Sequence, residues 1–173
     1  MALQENGIYI LLFLRSDQPV NDDFHWALYH HYNDTLGGKK YHITGSVGTW
    51  TAGHVSTIGV VKSFLLVGLF HICTVLAGFE AHVDTQIRQY DEALNPDPTI
   101  TCRVWLFRVL AKLKEPVSGH KIIDADLDQL EREVKDFGNL HAMSAVFNEQ
   151  PRPIGSSGKL HEPCLWSFYL QLI

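Results

Sequence analysis

Three side chains that could together carry out acyl transfer lie far apart along this sequence. His25 stands in the segment Phe-His-Trp-Ala-Leu-Tyr, His42 in Tyr-His-Ile, and Cys102 in Thr-Cys-Arg-Val-Trp. A cysteine nucleophile needs a base that removes its proton and a third group that orients the base. The residue types therefore predict Cys102 as a thiolate nucleophile, with His25 and His42 to serve as its base and as the orienting group.

The position of Cys102 favours this role. Apolar residues recur at helical spacing after it, at Leu106, Val109 and Leu113, which predicts an amphipathic helix over Cys102–Leu113. The unpaired N–H groups of a helix N-terminus favour a thiolate there and can stabilise an oxyanion. Cys102 shares the apolar face of this helix, so we expect its sulfur to face a sheet. The alternative is a small core cysteine without chemistry.

Three strands must position the histidines. Apolar or alternating segments predict strands over residues 8–14, 24–31 and 40–47, connected by turn residues that include Gly37-Gly38. Successive side chains of a strand point to opposite faces, so His25 and Tyr29 share one face. Pairing through the glycine connection would set His25 and His42 side by side. We expect them on the face that the Cys102 helix covers.

The rest of the chain predicts an α+β fold, in which an antiparallel β-meander sheet packs against helices. Helical periodicity covers residues 80–94, 102–113 and about 124–147, with Gly138 as a potential break. We therefore expect a single domain over residues 1–150. Residues 151–173 begin with proline, glycine and serine and predict a flexible tail, whose role the sequence leaves open.

Composition bounds the function. The chain has 173 residues, 46% of them hydrophobic and 19% charged, with a net charge of −5 and no basic cluster. This argues against a nucleic-acid partner. Three cysteines at wide spacing do not indicate disulfides, and the N-terminal residues lack the basic region of a signal peptide, so we expect free thiols and a cytoplasmic protein.

One long apolar segment, residues 63–79, could be either a membrane-spanning helix or buried strand. Its 17 residues are short for a helix that crosses about 30 Å of hydrocarbon, and it is rich in β-branched and aromatic residues. Buried strand is therefore the favoured interpretation. Peripheral contact with a membrane stays open.

Other groups were weighed for binding roles. Trp50 and His54 lie in a glycine-rich loop, and together with Tyr29 they are candidates for substrate binding. Two histidines and a cysteine could also bind zinc, but the fourth ligand is missing and no closely spaced ligand pair occurs. We therefore predict no metal and no cofactor.

The histidine segments, followed by a cysteine that opens a helix, resemble the circularly permuted papain-like proteins. The resemblance is nearest to lecithin:retinol acyltransferase and the HRAS-like-suppressor phospholipase/acyltransferases, with the permuted deconjugating peptidases more distant. It covers roughly residues 7–115 and implies His25 as base, His42 as orienting residue and Cys102 as nucleophile. This chain departs from the acyltransferase pattern at Thr101, where asparagine is usual, and at residues 103–105, which replace Glu/Gln-His-Phe.

The function that follows is a cysteine-dependent acyl-transfer enzyme, either hydrolase or acyltransferase. It would act on an ester, amide or thioester of a small molecule, lipid or peptide through a thioester intermediate. The departures around the cysteine motif argue against phospholipid substrates more than they argue against the fold. The alternative is a non-catalytic binding or interaction module on the same scaffold.

Overall fold

The computed structural model of the chain describes residues 2–157, in which eight strands and three helices occur. A six-stranded sheet has the strand order β6-β3-β2-β1-β7-β8, and β4 and β5 form a separate two-stranded sheet. The strands are β1 (Gly7–Leu14), β2 (Phe24–Asn33), β3 (Gly37–Tyr41), β4 (Ile43–Thr44), β5 (Thr51–Ala52), β6 (Val55–Thr57), β7 (Leu66–Thr74) and β8 (Ile154–Ser156). The predicted α+β class is confirmed.

Strand β1 is the centre of the large sheet. It pairs antiparallel with β2 on one side and with β7 on the other, and nearly all of its side chains are buried. A strand covered on both faces carries a continuous apolar sequence, which explains its run of aliphatic and aromatic residues. Strands β1, β2 and β3 form the predicted meander, and β7 returns to the free side of β1.

The three helices are α1 (Glu80–Arg88), α2 (Cys102–Leu113) and α3 (Leu127–Val146). Helix α2 has the bounds that the apolar spacing predicted. Helix α1 ends earlier than expected, and a 3-10 turn over Asp91–Ala93 follows it.

Helix α3 continues through Gly138, which the sequence suggested as a break. A Cβ at this position would lie 2.6 Å from the Leu12 side chain and 2.7 Å from that of Phe24. Glycine therefore allows the helix to approach the sheet closely. Its cost to helix propensity is offset by the packing that this approach permits.

The sheet is buried on both faces. On one face, side chains such as Leu12, Trp26 and Leu28 form the main core together with α1, α2 and α3. On the other, a smaller cluster is formed by Tyr9, Leu11, Ala27, Tyr29, Val60, Leu66 and Leu69. Below, the first is called the helix face and the second the opposite face.

Part of the predicted tail belongs to the sheet. Strand β8 lies parallel to β7, with Leu69 paired with Ile154 and His71 with Ser156. The remainder of that prediction, residues 158–173, falls outside the described residues.

The apolar segment 63–79 contains β7, and no helix within residues 2–157 has the length and apolar character needed to cross a membrane.

A buried histidine on the helix face makes the fold sensitive to acid. His30 is 1% exposed, and neither ring nitrogen has a hydrogen-bond partner among the described residues. Burial lowers the pKa of His30 to about 4, from an ordinary value of 6.5, against smaller opposing effects of nearby carboxylates. Between these two pH values the unfolded chain binds more protons than the folded chain, so stability is lost as the pH falls through this window.

Replacing His30 with leucine should reduce this sensitivity. From the pKa difference, we expect His30 alone to account for about 2 kcal/mol of the unfolding free energy lost between pH 7 and pH 5. Urea unfolding of the wild type and of His30→Leu at both pH values measures the difference. Equal losses in the two proteins would contradict the assignment.

Candidate active site

The two predicted histidines are in contact. His25 is the second residue of β2, and His42 directly follows β3. Leu28 pairs with Tyr41 in the antiparallel register, so His42 lies beside the part of β2 that precedes Leu28. His25 Nε2 is 3.1 Å from His42 Nδ1. Strand register therefore joins two imidazoles that are 17 residues apart along the chain.

Both imidazoles are neutral at pH 7. Burial lowers the pKa of His25 to about 4, and the charges of Arg15 and Lys40 act in the same direction. Burial likewise lowers the pKa of His42 to about 4, with further contributions from Lys40 and neighbouring histidines. A neutral imidazole carries one N–H and one lone pair, so each ring can serve as donor at one nitrogen and acceptor at the other.

The contact with His42 determines which nitrogen of His25 is left for chemistry. His25 Nε2 is engaged with His42 Nδ1, so Nδ1 is the nitrogen of His25 that remains. When His25 Nε2 donates to His42 Nδ1, the lone pair of His25 lies on Nδ1. In that tautomer His25 Nδ1 can act as a base. Gly53 lies beside the other nitrogen of His42, Nε2, and its backbone raises the pKa of that ring, in opposition to burial.

Cys102 occupies the first position of α2. The Thr101 hydroxyl accepts a hydrogen bond from the backbone N–H of Val104 at 3.1 Å and fixes the start of the helix. Arg15 Nη2 is 3.5 Å from Cys102 Sγ, while Arg15 Nε pairs with Asp23 at 2.9 Å. A guanidinium and the N-terminus of a helix therefore both lie at this sulfur.

The arrangement differs from the prediction in the face of the sheet. Trp26 and Leu28 pack in the same cluster as Cys102, so α2 covers the helix face. His25 alternates with them along β2 and stands on the opposite face. No hydrogen bond joins Cys102 Sγ to either imidazole in the part of the chain that is described. Large apolar side chains such as Trp26 and Leu28 are buried under a helix in preference to imidazoles, which is why α2 covers their face and not that of His25.

Arg15 connects the two parts of the site. It follows β1, where its side chain contacts the Cys102 sulfur, and its charge is one of those that lower the pKa of His25. Arg15 was not among the residues predicted for the site. One signal in the sequence could have identified Arg15: it directly follows the apolar strand β1, whose end pairs with the start of β2.

On the helix face, the Asp91 carboxylate holds the ring of another histidine, His54. His54 Nε2 lies 3.0 Å from Asp91 Oδ1 and 3.2 Å from Oδ2, and its ring stacks on Trp105 of α2 with the centroids 6.2 Å apart. His54 Nδ1 is buried without a partner among the described residues. His54 was predicted as a pocket residue. Asp91 was assigned to a helix, and the 3-10 turn brings it to His54 instead.

The other two predicted substrate-binding residues are built into the core. Trp50 is 9% exposed, and its backbone N–H and carbonyl are both hydrogen-bonded by the Asn95 side chain. Tyr29 packs in the cluster of the opposite face and donates to the carbonyl of Thr57 at 3.3 Å. Trp50 belongs to the same core cluster as Cys102, whereas Tyr29 lies on the opposite face of the sheet. As to the zinc alternative, residues 2–157 contain no group of three or more His, Cys, Asp or Glu side chains that could hold a metal ion.

Comparison of the chain with protein-family models, with curated proteins and with solved structures finds no significant match. The functional argument therefore depends on the chemistry of the residues themselves.

Proposed function

We propose that this chain is a cysteine-dependent acyl-transfer enzyme with a permuted papain-like arrangement. The observation that carries the proposal is the contact of Arg15 with Cys102 at the start of α2, because the charge of the same Arg15 also acts on His25 of the neutral His25–His42 pair. Positive charge at a sulfur supports the thiolate, and a neutral imidazole with a free lone pair is what a thiol requires of its base. Hydrolysis and transfer to another acceptor use the same first half-reaction.

The mechanism begins with removal of the Cys102 proton by His25 Nδ1. This step requires a movement that brings the sulfur within hydrogen-bond distance of that nitrogen, since Cys102 and His25 lie on opposite faces of β2 and no hydrogen bond joins them. The thiolate then attacks the acyl carbonyl carbon, and the N–H groups of the first turn of α2 stabilise the oxyanion. The acyl–leaving-group bond breaks, and the leaving group takes the proton from His25. Water or an acceptor finally cleaves the thioester and returns its proton to Cys102 through His25.

Selective alkylation tests the activation of Cys102. With iodoacetamide at pH 7, we expect Cys102 to react well before Cys73, because burial raises the pKa of the Cys73 thiol to about 12. Replacing Arg15 with methionine should slow the reaction of Cys102 about 10-fold, since a nearby cation supports the thiolate. Peptide mapping by mass spectrometry assigns each label, including any at Cys164.

The Arg15→Lys variant is the matched control, because it keeps the positive charge and should keep most of the reactivity. Trapping of an acylated Cys102 peptide from a reactive thioester would then show the intermediate directly. Labelling of Cys102 no faster than that of Cys73, and no effect of Arg15→Met, would contradict the proposal.

A non-catalytic binding module is the second candidate, and one observation favours it. Cys102 is 1% exposed and packs in the main core, where a thiol is usually inert. In that case Arg15 would be a structural contact that ties the end of β1 to α2. Sluggish labelling of Cys102, unchanged in the Arg15 variants, would support this function.

A further inference from the structure

Positive charge gathers around the His25–His42 pair from two directions. Arg15 arrives from the end of β1 and Lys40 from β3, and the charges of both lower the pKa of His25. Lys40 pairs with Tyr29 across β2 and β3, so it stands on the opposite face, as His25 does. Its Nζ lies 5.5 Å from the centre of the Phe13 ring, and that ring is 6.2 Å from the ring of His25.

Within the part of the chain that is described, Lys40 differs from the two nearby cations in having no counter-charge. Arg15 is paired with Asp23, and the adjacent Lys39 is paired with Asp84 of α1. Within residues 2–157, Lys40 makes no ion pair with a carboxylate, and its recorded contact is with the face of Phe13. Burial lowers the pKa of Lys40. A partly desolvated ammonium without a counter-ion is a position that an anion would stabilise.

We propose that Lys40 and the His25–His42 pair bind a negatively charged group, a phosphate or a carboxylate, on the molecule that the site recognises. This inference rests on the proposed function, because the bound anion would be part of the acyl substrate and would lie beside the base His25. It is physically independent of Cys102. The charged and titratable groups that bear on the pair are Arg15 with its partner Asp23, Lys40 and His54.

The chemistry of the two rings suits this ligand. Lys40 supplies a point charge on a flexible stem, which is a common way to hold a phosphate or carboxylate. An anion next to the rings would also favour their protonated forms, in opposition to Lys40 and burial. Anion binding should therefore raise the pKa of both rings from about 4 toward the ordinary value of 6.5, which gives proton uptake near pH 6 and still leaves His25 mostly neutral, as a base must be, at pH 7.

Binding can be measured without catalysis. In the full-length Cys102→Ser protein, the imidazole resonances of His25 and His42 are followed by NMR at pH 6 while inorganic phosphate, or separately acetate, is added. We expect saturable shifts of both rings, and a loss of affinity of about 10-fold in a Lys40→Gln version, as for removal of one charge-assisted contact. Stronger shifts with phosphate or with acetate identify which anion the site prefers.

Lys39→Gln is the matched control, because Lys39 is adjacent in sequence but points to the helix face and is paired with Asp84. Its binding of phosphate should equal that of the parent protein. As a check that does not need a ligand, Lys40→Gln alone should raise the pKa of His25 and of His42. Equal affinity in the Lys40→Gln and Lys39→Gln proteins, or no saturable shift with either anion, would overturn the proposal.

Activity measurements separate this inference from the proposed function. With an anionic acyl thioester, Lys40→Gln should raise KM about 10-fold more than it does with a neutral ester, because only the anionic substrate loses a charge-assisted contact. If the protein turns over neither substrate but still binds phosphate in a way that depends on Lys40, the anion site is supported and the acyl-transfer function is contradicted. If the protein turns over both substrates and Lys40→Gln changes the kinetics of neither, acyl transfer is supported and the anion site is contradicted.

Discussion

Replacing Cys102 with serine is expected to lower the rate of acyl transfer to water or acceptor by about 10⁴-fold or more, as for loss of the nucleophile in comparable enzymes. A serine hydroxyl is far less acidic than a thiol, and a base with a pKa of about 4, as His25 has, cannot deprotonate it efficiently. Burst and steady-state kinetics with a chromogenic acyl ester or thioester measure the effect.

Cys73→Ser is the control for this experiment. Cys73 lies on β7 and is a free thiol like Cys102, but it is far from the His25–His42 pair in the sheet order. The Cys73 variant should keep full activity. Because serine is close in size to cysteine, thermal unfolding should show that the Cys102→Ser protein is folded. A folded Cys102→Ser protein with wild-type turnover would eliminate the thiol mechanism.

Replacing Gly38 with alanine is expected to destabilise the fold by about 3 kcal/mol or more, at the upper end of the cost of overpacking. A Cβ on Gly38 would lie 2.1 Å from the backbone oxygen of His30 and 2.7 Å from the Tyr29 ring. Backbone atoms cannot move aside as a flexible side chain can. Strand β3 would have to separate from β2, and His42, which follows β3, would leave His25.

Gly59→Ala provides the comparison, because a Cβ at Gly59 would have no non-neighbouring heavy atom of residues 2–157 within 4 Å and the residue has a φ of −124°. Its unfolding free energy should change by less than about 0.5 kcal/mol, as is usual at open surface positions. Denaturant unfolding of both variants measures the stabilities. Equal stability of the Gly38 and Gly59 variants would show that the β2–β3 register is not held by this close approach.

The elements near the site were largely predictable because their patterns are local. The apolar run of β1, the alternation along β2 and the helical spacing from Cys102 each identify one element without reference to the others. Contact of His25 with His42 was likewise accessible, because a short glycine connection between adjacent strands restricts their register. Gly138 shows the limit of such reasoning, since its role depends on Leu12 and Phe24, which are distant in sequence.

The relation of Cys102 to the histidines could not be obtained in this way. Alternation along β2 separates His25 from Trp26, but it does not tell which of the two faces a helix will cover. The contact of Arg15 with Cys102 joins residues 87 positions apart, and that of His54 with Asp91 joins residues 37 positions apart. Both depend on how the elements pack together.

The large sheet ends on each side in a strand of only three residues, β6 at one margin and β8 at the other. Long unpaired strands offer a row of backbone donors and acceptors to which a second molecule can add, and this is a route to aggregation. Here the longer strands lie inside, and the margins give an incoming chain little length to extend. Since Ile154–Ser156 pairs with Leu69–His71, the C-terminal part of the described chain covers the middle of β7 and leaves less of this apolar strand open to an incoming chain.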